Sequence, residues 1–440
     1  MNQKNIIMIN NIFLILVFLP GLRFFGSIYY LLLGSSLLIT FQEIIRSKIF
    51  LSLSSLTLSC IYIQQILQIF LNFESNFNLY ALARISIPLL LIIFFNSRKK
   101  NKIRFYNLLF LANLIAVFSI FFQFLFPNLL PLPLDGTRGL IDRFYSLGGN
   151  SNILGTSTAL FMPFIIYSDQ FVKALDFKIL KNFSVNHLRL LSIIIYSLGI
   201  IISLSRGALI IFMFEFGLII FLSFIQFSNN DYSFRIIIKR KIIKVLFYVF
   251  CFTFIVFLIT LVAKPSIFVF LINLLMPILM MFTLLGFFSQ DFFWRFFPDI
   301  PLDAYSINIF EDFLFTRVSW GLESISKSFE DLSTLLLGIG PSAYGSIAGF
   351  DEGFNHNNYF DLLEGQGILG MSLFVFFTFI ILKNGRFWDT NQKKLLLVSL
   401  STFLLASLYS SGILHHPLWI GPLIMIPHIP IFVKVSSIKG

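Results

Sequence analysis

Charged residues are scarce in this chain. Lysine, arginine, aspartate and glutamate make up only 12% of its 440 residues, whereas a soluble domain has about a quarter. The two cysteines, Cys60 and Cys251, both fall inside apolar runs, where they are expected to act as small buried hydrophobic residues. No Gly-Lys-Ser/Thr triplet follows the glycine turn at 338–340, which excludes a Walker-type phosphate loop there. The composition as a whole excludes an ordinary soluble protein.

Long apolar runs take the place of charge. Hydrophobic residues make up 57% of the chain, with 59 phenylalanines. Runs such as 49–73, 105–126 and 245–263 approach the roughly 20 residues that a helix needs to cross about 30 Å of hydrocarbon. They are continuous rather than alternating, which favours helices over a closed barrel. The sequence therefore predicts an all-α, polytopic integral membrane protein with about twelve transmembrane helices.

Apolar runs set the predicted spans to within several residues at each end. They lie at 6–20, 24–42, 49–72, 79–95, 105–126, 153–169, 188–204, 207–227, 245–263, 366–382, 395–412 and 417–433.

The distribution of basic residues orients these spans. The net charge is +11, and most of the lysines and arginines lie in every second loop, as in the cluster at 98–104. This alternation is typical of the positive-inside rule and predicts that both termini are cytoplasmic. A nucleic-acid partner would require one basic folded face instead, so the pattern predicts no nucleic acid and a membrane-lipid environment.

The chain is predicted to form one membrane domain in three parts. Residues 1–263 hold helices 1–9, residues 264–365 form a large extracytoplasmic loop region of short helices, and residues 366–440 hold helices 10–12. The apolar segment 266–290, interrupted by Pro277, is predicted to be re-entrant or interfacial. A further crossing there would place the basic residues of 383–394 outside the membrane.

Two arginines on the predicted outer side are candidates for anion binding. Arg206 lies in SLSRG (203–207), the tip of a predicted outward hairpin. The next helix begins there, and free N–H groups beside a guanidinium suit a phosphate. The alternative is an arginine that snorkels to the membrane surface. Arg317 lies in LFTRVSW (314–320), and a structural ion pair with Glu323 or Asp312 is its alternative role.

A polar segment, GFNHNNYFDLLEGQGILG (353–370), precedes the tenth predicted span. Asn355 or His356 is predicted to cap its helix, and His356 can exchange protons near neutral pH. Asn357, Asp361 and Glu364 are spaced to share one helical face. The glycines at 365, 367 and 370 permit close approach of another segment.

Four ordered motifs carry a resemblance to a known family. RFYSLGGNSNILGTS (143–157) comes first, followed by SRG (205–207), then TR…W (316–320) leading to LLGIGP (336–341), and HNNYFDLLEGQGILG (356–370). The chain resembles the O-antigen ligase/polymerase family of bacterial membrane glycosyltransferases over roughly residues 138–382.

The resemblance implies transfer of a glycan from an undecaprenyl-diphosphate carrier to an acceptor hydroxyl outside the cytoplasmic (inner) membrane. It implies that Arg206 and Arg317 hold the diphosphate and that His356 takes the acceptor's proton, with Glu364 orienting His356 or acting as the base itself. Other residues of these motifs are expected to contact the substrate. They are Arg143 at the diphosphate, and Asn150, Asn152, Asn357 and Tyr359 in the cavity lining.

The expected partners are the lipid-linked glycan donor and a glycan or lipid acceptor, with a chain-length regulator or other polysaccharide-assembly protein as a further partner. No cofactor and no metal are expected. The acceptor is not encoded in a recognisable motif, so polymerase and ligase remain equal alternatives. A glycolipid transporter or flippase is the second hypothesis, and a non-catalytic scaffold is the third.

Three other groups of polar residues could have either a structural role or a role in binding metal or protons. A hard cation at the acidic residues of the outer loop would lack any ordered ligand spacing; these are Asp299, Asp303, Glu311 and Asp312. His415 and His416 are adjacent and so point in different directions on a helix, against a shared metal. Glu215, deep in the eighth span, is predicted to pair with Arg84 or an amide, and a proton-linked role is open.

Overall fold

The structure, a computed structural model, describes most of the predicted helical regions. The described residues are 3–19, 22, 27–45, 51–71, 79–97, 99–126, 147, 151–168, 185–203, 205–227, 234–236, 326, 329, 331–340, 357–409, 414 and 416–433. Within them the chain is nearly all helical. The predicted ninth span (245–263), the apolar segment 266–290 and most of the outer loop region lie outside the described residues.

The described residues form thirteen α-helices and one 3-10 turn, in this chain order. They are α1 (Gln3–Phe18), α2 (Ser27–Ile45), α3 (Leu53–Leu71), α4 (Leu79–Ser97), α5 (Lys99–Leu125), α6 (Ser151–Tyr167), α7 (Val185–Ile202), α8 (Arg206–Ser223), α9 (Leu332–Leu337), α10 (Asn358–Gly385), α11 (Thr390–Tyr409), α12 (Pro417–Met425), a 3-10 turn (Ile426–His428) and α13 (Ile429–Phe432).

Each predicted span that falls within the described residues overlaps a helix. Among the described residues, three helices are long and apolar enough to cross a membrane by length and composition, namely Leu53–Phe70, Lys100–Gln123 and Asn358–Gly385. Shorter apolar helices coincide with seven other predicted spans, whereas α11, which overlaps the predicted span at 395–412, belongs to neither group. The fold is therefore helical with membrane-spanning character, and the number of crossings remains a prediction.

Two predicted loops are largely helical instead. The basic residues from Lys99 onward form the start of α5, and Lys393 and Lys394 lie inside α11, where both are buried. Lysine and arginine are good helix formers, so a helix continues past the end of its apolar stretch until a turn residue stops it. The predicted cytoplasmic loop at 383–394 reduces to the short turn between Gly385 and Thr390.

A small two-stranded ribbon is the one departure from an all-α chain among the described residues. Strand β1 (Ile225–Phe227) pairs antiparallel with β2 (Phe234–Ile236), so that Ile225 lies opposite Ile236 and Phe227 opposite Phe234. These β-branched and aromatic residues suit a strand. The end of the predicted eighth span is thus a strand, and Thr390 Oγ1 anchors it by donating to the carbonyl of Phe227 at 3.1 Å.

Two buried tyrosines hold neighbouring helices together by ring packing and by hydrogen bonds from their hydroxyls. Tyr106 of α5 donates its hydroxyl to the carbonyl of Phe164 at 3.1 Å, and Tyr196 of α7 donates to that of Phe110 at 3.1 Å. The rings of Phe110 and Tyr196 stack with centroids 6.2 Å apart. Tyrosine suits such places because its ring fills apolar space while its hydroxyl satisfies a carbonyl of the neighbouring helix.

Large apolar side chains also cover the outside of the bundle. On α2, Leu31 and Leu38 are 70% and 68% exposed, and they lie seven residues apart on one face. Met213 of α8 and Val375 of α10 are similarly exposed. Apolar surface of this extent is unfavourable in water, and it agrees with helices that face lipid.

Small residues set how closely two of the helices approach. A Cβ atom added to Gly199 of α7 would lie 2.7 Å and 2.9 Å from the two methyl carbons of Val117 on α5. Gly217 of α8 has nothing within 4 Å of the same position. The two glycines therefore share a helical setting and differ in packing alone.

We expect Gly199→Ala to destabilise the protein by about 1–3 kcal/mol, because the added methyl overpacks the α5–α7 contact. Gly217→Ala is the control, and it should be neutral or stabilise by about 0.5–1 kcal/mol through helix propensity. The thermal unfolding midpoint of the detergent-solubilised protein measures both changes. Equal midpoints for the two variants would contradict this packing.

Candidate functional site

The structure describes only some of the predicted site residues. His356, Arg317, Arg143 and Asn150 lie outside the described residues, and Arg206 is described only as the first residue of α8, without its side chain. The remaining predicted residues are described. They are Asn152, Asn357, Tyr359 and Glu364. That Arg206, Arg317 and His356 line one cavity therefore stays a prediction. The structure does describe how the motifs around these residues contact one another.

The first two motifs meet at the start of α8. Ser205 caps this helix, with its side-chain oxygen accepting from the backbone N–H of Ala208 at 3.3 Å. The same hydroxyl donates to Oδ1 of Asn152 at 2.8 Å. A serine cap satisfies an otherwise unpaired N–H at a helix start. Here it also joins the Ser-Arg-Gly tip to the Asn-Ser-Asn segment that begins α6.

Gly155 makes this meeting possible. A Cβ atom at Gly155 would come within 2.6 Å of Ser203 Oγ and 2.7 Å of Ala208 Cβ. Ser203 is already engaged, since its hydroxyl donates to the carbonyl of Ile200 at 2.7 Å. Only glycine leaves room at this position for the corner between α7 and α8, so the corner rests directly on α6.

The last two motifs also meet, through their glycines. Short helix α9 ends at Gly338, which has φ 77°, and the chain then crosses α10 where that helix breaks at Gly367, with φ 64°. A Cβ at Gly338 would lie 2.3 Å from the backbone N of Gln366, and one at Gly367 would lie 2.6 Å from the carbonyl carbon of Leu336. Both positions thus require glycine for conformation and for space.

The crossing chain satisfies the backbone groups that the break exposes. A helix break disturbs the regular N–H to carbonyl ladder, and buried carbonyls then need other donors. The N–H of Ile339 donates to the carbonyl of Glu364 at 2.8 Å, and that of Gly340 donates to the carbonyl of Gly365 at 3.1 Å. The next carbonyl, that of Gln366, accepts from Gln64 Nε2 of α3 at 2.8 Å.

Two glutamines of α3 complete the junction, and the sequence analysis did not select them. Gln64 Nε2 also donates to the carbonyl of Leu337 at 3.3 Å, and Gln68 Nε2 donates to that same carbonyl. The available signal was the QQILQ stretch (64–68), whose amides interrupt an otherwise apolar run. Buried polar side chains in a membrane helix commonly mark a contact or a site.

The helix cap of the polar segment differs from the prediction. Asn357, rather than Asn355 or His356, caps α10, with Oδ1 accepting from the N–H of Tyr359 at 2.9 Å and of Phe360 at 3.4 Å. Asn357 is therefore outside the helix proper and does not continue its face. Asp361 and Glu364 do lie within α10, and both are buried.

Tyr359 links α10 to α11. Its hydroxyl donates to the carbonyl of Leu404 at 3.0 Å, and its ring meets Phe374 edge-to-face with centroids 6.2 Å apart. The hydroxyl is thus occupied by a helix–helix contact. A substrate-lining role for Tyr359 stays a prediction that would rely on its ring.

The two motif contacts lie at the same end of the bundle. Tyr62, on the turn of α3 before Gln64, donates its hydroxyl to the carbonyl of Leu414. A few residues further, Trp419 of α12 donates Nε1 to the carbonyl of Ile153 at 2.9 Å, next to Asn152. The segment 414–419 therefore connects the glutamine-lined break to the corner at Ser205.

The other polar groups give a mixed result. His416 occupies the N-cap position of α12 without a side-chain capping hydrogen bond, and its ring packs on Trp419 with centroids 5.5 Å apart. Glu215 is fully buried, and neither carboxylate oxygen has a hydrogen-bond partner in the described part of the chain. The amide partner predicted for Glu215 is therefore not seen there, and the side chain of Arg84 and the residues at 299–312 lie outside the description. The described ranges bring no three histidine, cysteine, aspartate or glutamate side chains together.

Comparison with known proteins identifies no relative. The chain matches no family model, no curated protein and no solved structure. The resemblance in the motifs therefore remains the basis for any family assignment.

We expect Gly367→Ala to destabilise the protein by about 3 kcal/mol or more, for two reasons. Alanine is strained at a positive φ, and its Cβ atom would clash with the backbone of Leu336. Gly34→Ala is the matched control, because nothing lies within 4 Å of a Cβ at Gly34 on α2. Thermal unfolding of both variants gives the comparison. A Gly367→Ala midpoint equal to that of the control would refute the interlocked arrangement.

Asp331 caps α9 and titrates at an unusually low pH. Hydrogen bonds from the hydroxyls of Ser333 and Thr334 and from the N–H of Thr334 lower the pKa of its carboxyl from 3.8 to about 2. Because the folded-state pKa is lowered, the cap's contribution is complete above about pH 4 and is lost as the pH falls towards 2. The carbon-13 shift of the Asp331 carboxyl should titrate near pH 2, and a midpoint near 4 would show that the cap is not formed.

Proposed function

We propose that this chain is a membrane glycosyltransferase of the O-antigen ligase/polymerase type. It moves a glycan from undecaprenyl diphosphate to an acceptor hydroxyl on the outer side of the cytoplasmic membrane, in the synthesis of lipopolysaccharide O-antigen or a similar cell-surface polysaccharide. The observation that carries the proposal is the pairing of the motifs. Asn152 and Gly155 contact the chain at Ser203, Ser205 and Ala208, and segment 336–340 contacts segment 364–370, at one end of the bundle.

The proposed reaction needs charge stabilisation and one proton acceptor. The acceptor oxygen bonds to the anomeric carbon, the bond from that carbon to the phosphate oxygen breaks, and its electron pair leaves with undecaprenyl diphosphate. Arg206 and Arg317 stabilise the negative charge on the diphosphate, which is a competent leaving group under these conditions. His356 takes the proton of the acceptor hydroxyl. Arg143 is assigned to the diphosphate as well.

The described residues support this assignment through the two helix caps that precede or follow the proposed site residues. Ser205 fixes the start of α8, and Arg206 follows it directly, so the guanidinium is attached to a helix start whose N–H groups favour an anion. Asn357 fixes the start of α10 in the same way, and His356 precedes it directly. Glu364, buried two turns further along α10, is the alternative base or an orienting residue.

The proposed setting follows from the charge pattern. Both termini are cytoplasmic, and the substrate site faces the outside of the inner membrane. The donor glycolipid, a glycan or lipid acceptor and, among proteins, a chain-length regulator are the proposed partners. Polymerase and ligase share this chemistry and differ in their acceptor.

A glycolipid transporter or flippase is the second candidate, and one observation favours it. Transporters often bind substrate at discontinuous helices, and α10 is discontinuous at Gly367. The two candidates differ in product: a transporter returns the lipid-linked glycan unchanged on the other leaflet, whereas a transferase releases free undecaprenyl diphosphate.

The test is reconstitution of the full chain with a lipid-diphosphate glycan and an acceptor. We expect Arg206→Lys, Arg317→Lys and His356→Ala each to lower turnover by about 100-fold or more, because lysine lacks the planar fork and alanine lacks a base. Arg386→Lys is the matched control, since Arg386 is exposed in the turn after α10 at the opposite end of that helix, and it should retain full turnover.

The outcomes separate the assignments. Wild-type turnover by His356→Ala would remove the base from His356, and Glu364→Gln then tests the alternative. Movement of intact glycolipid without release of undecaprenyl diphosphate would replace the transferase by the transporter. Unchanged polysaccharide in cells carrying Arg206→Ala and His356→Ala would leave only a scaffold.

A further inference from the structure

Three glutamine side chains surround the break in α10. Gln64 and Gln68 lie one turn apart on α3, and Gln366 immediately precedes Gly367. Gln366 is fully buried and Gln68 is 6% exposed. Three amides in one place are costly to bury in an apolar bundle unless their polar atoms are all paired.

Their polar atoms are only partly used. The side-chain nitrogens of Gln64 and Gln68 bond to backbone carbonyls of the junction. The side-chain oxygens of all three glutamines, together with the side-chain nitrogen of Gln366, are buried and have no hydrogen-bond partner among the described residues. Among the described residues, the junction thus leaves three acceptor oxygens and one two-proton donor nitrogen without a hydrogen-bond partner.

Holding the break together does not explain these atoms. The carbonyls of Glu364, Gly365 and Gln366 already receive donors from the crossing chain and from Gln64. The side chain of Gln366 takes part in none of these bonds. It lies over Gly370, where a Cβ would come within 2.5 Å of Gln366 Oε1, so a glycine makes room for it.

The chemistry of the unused atoms selects a class of ligand. Three carbonyl-type oxygens disfavour a phosphate, because an anion needs donors. They match hydroxyl groups, which donate to amide oxygens, and the nitrogen of Gln366 can donate to a further hydroxyl or a ring oxygen. A neutral, hydroxyl-rich carbohydrate meets both requirements. A monovalent cation would use the oxygens and leave the nitrogen unpaired.

We propose that Gln64, Gln68 and Gln366 bind hydroxyl groups of the sugar attached to the lipid diphosphate. This inference rests on the proposed function and adds a sugar subsite to it. The subsite lies at the bundle end where the motifs meet, since Tyr62 of α3 bonds to the segment that also contacts Ile153. The glutamine subsite binds the carbohydrate, while Arg206 and Arg317 bind the diphosphate.

The experiment compares two lipids on the purified full chain in nanodiscs. One probe is undecaprenyl-diphosphate N-acetylglucosamine and the other is undecaprenyl diphosphate without sugar. We expect Gln366→Met to weaken binding of the glycosylated lipid about tenfold, as one or two lost hydrogen bonds would. Binding of the bare lipid should stay within about twofold, because the diphosphate contacts are intact.

The control is Asn113→Leu on α5. Asn113 is also fully buried, and its side-chain oxygen has no hydrogen-bond partner in the part of the chain that the structure describes. Its nitrogen bonds within its own helix to the carbonyl of Leu109 at 3.0 Å. It should leave the ratio of the two affinities unchanged. Because the bare lipid reports folding in each variant, a general loss of structure cannot mimic the expected change in ratio.

Several results would overturn the proposal. Equal loss for both lipids, or no loss for either, would remove the sugar subsite. So would stabilisation of the wild type by sodium or potassium ions that Gln366→Met abolishes, since this would identify a cation site. Wild-type protein that binds both lipids without preference overturns the subsite alone, whereas wild-type protein that binds neither also overturns the proposed function.

Discussion

The described junction depends on two glycines that place their backbones in direct contact. Gly338 ends α9 and Gly367 interrupts α10. A Cβ atom on Gly338 would meet the backbone of Gly365 and Gln366, and one on Gly367 would meet the backbone of Leu336 and Gly338. Backbone can approach this closely only when neither residue carries a side chain and both adopt a positive φ. The break leaves buried carbonyls of α10 without a donor from their own helix. The chain that crosses the break supplies two donors to them, the N–H groups of Ile339 and Gly340.

Polar side chains gather at this junction because broken backbone needs them. Gln64 and Gln68 reach from α3 to carbonyls that a continuous helix would have satisfied itself. Once such amides are buried, their remaining atoms are available to a ligand at little further cost in dehydration. At the contact between α6 and the start of α8, one side chain also serves two purposes. The hydroxyl of Ser205 caps α8 and bonds to Asn152.

Much of the helical layout was predictable from the sequence. Apolar runs of sufficient length dictate helices, because backbone in an apolar setting must pair internally, and the glycines of 365–370 indicated close approach. The corner between α7 and α8 was predicted from SLSRG (203–207). The cap of α10 was predicted at Asn355 or His356 and lies at Asn357. Adjacent asparagine and histidine residues are all competent caps, so local chemistry did not distinguish them.

The sequence by itself determined where the apolar segments begin and end, which side of each carries basic residues, and which polar residues stand out from that background. Only the tertiary structure decided which of these segments meet. Gly338 and Gly367 lie in separate helical segments, and Gln64 is hundreds of residues from both, so no local pattern encodes their contact. Partner choice depends on complementary shape and on unsatisfied carbonyls, and both exist only after the helices have packed.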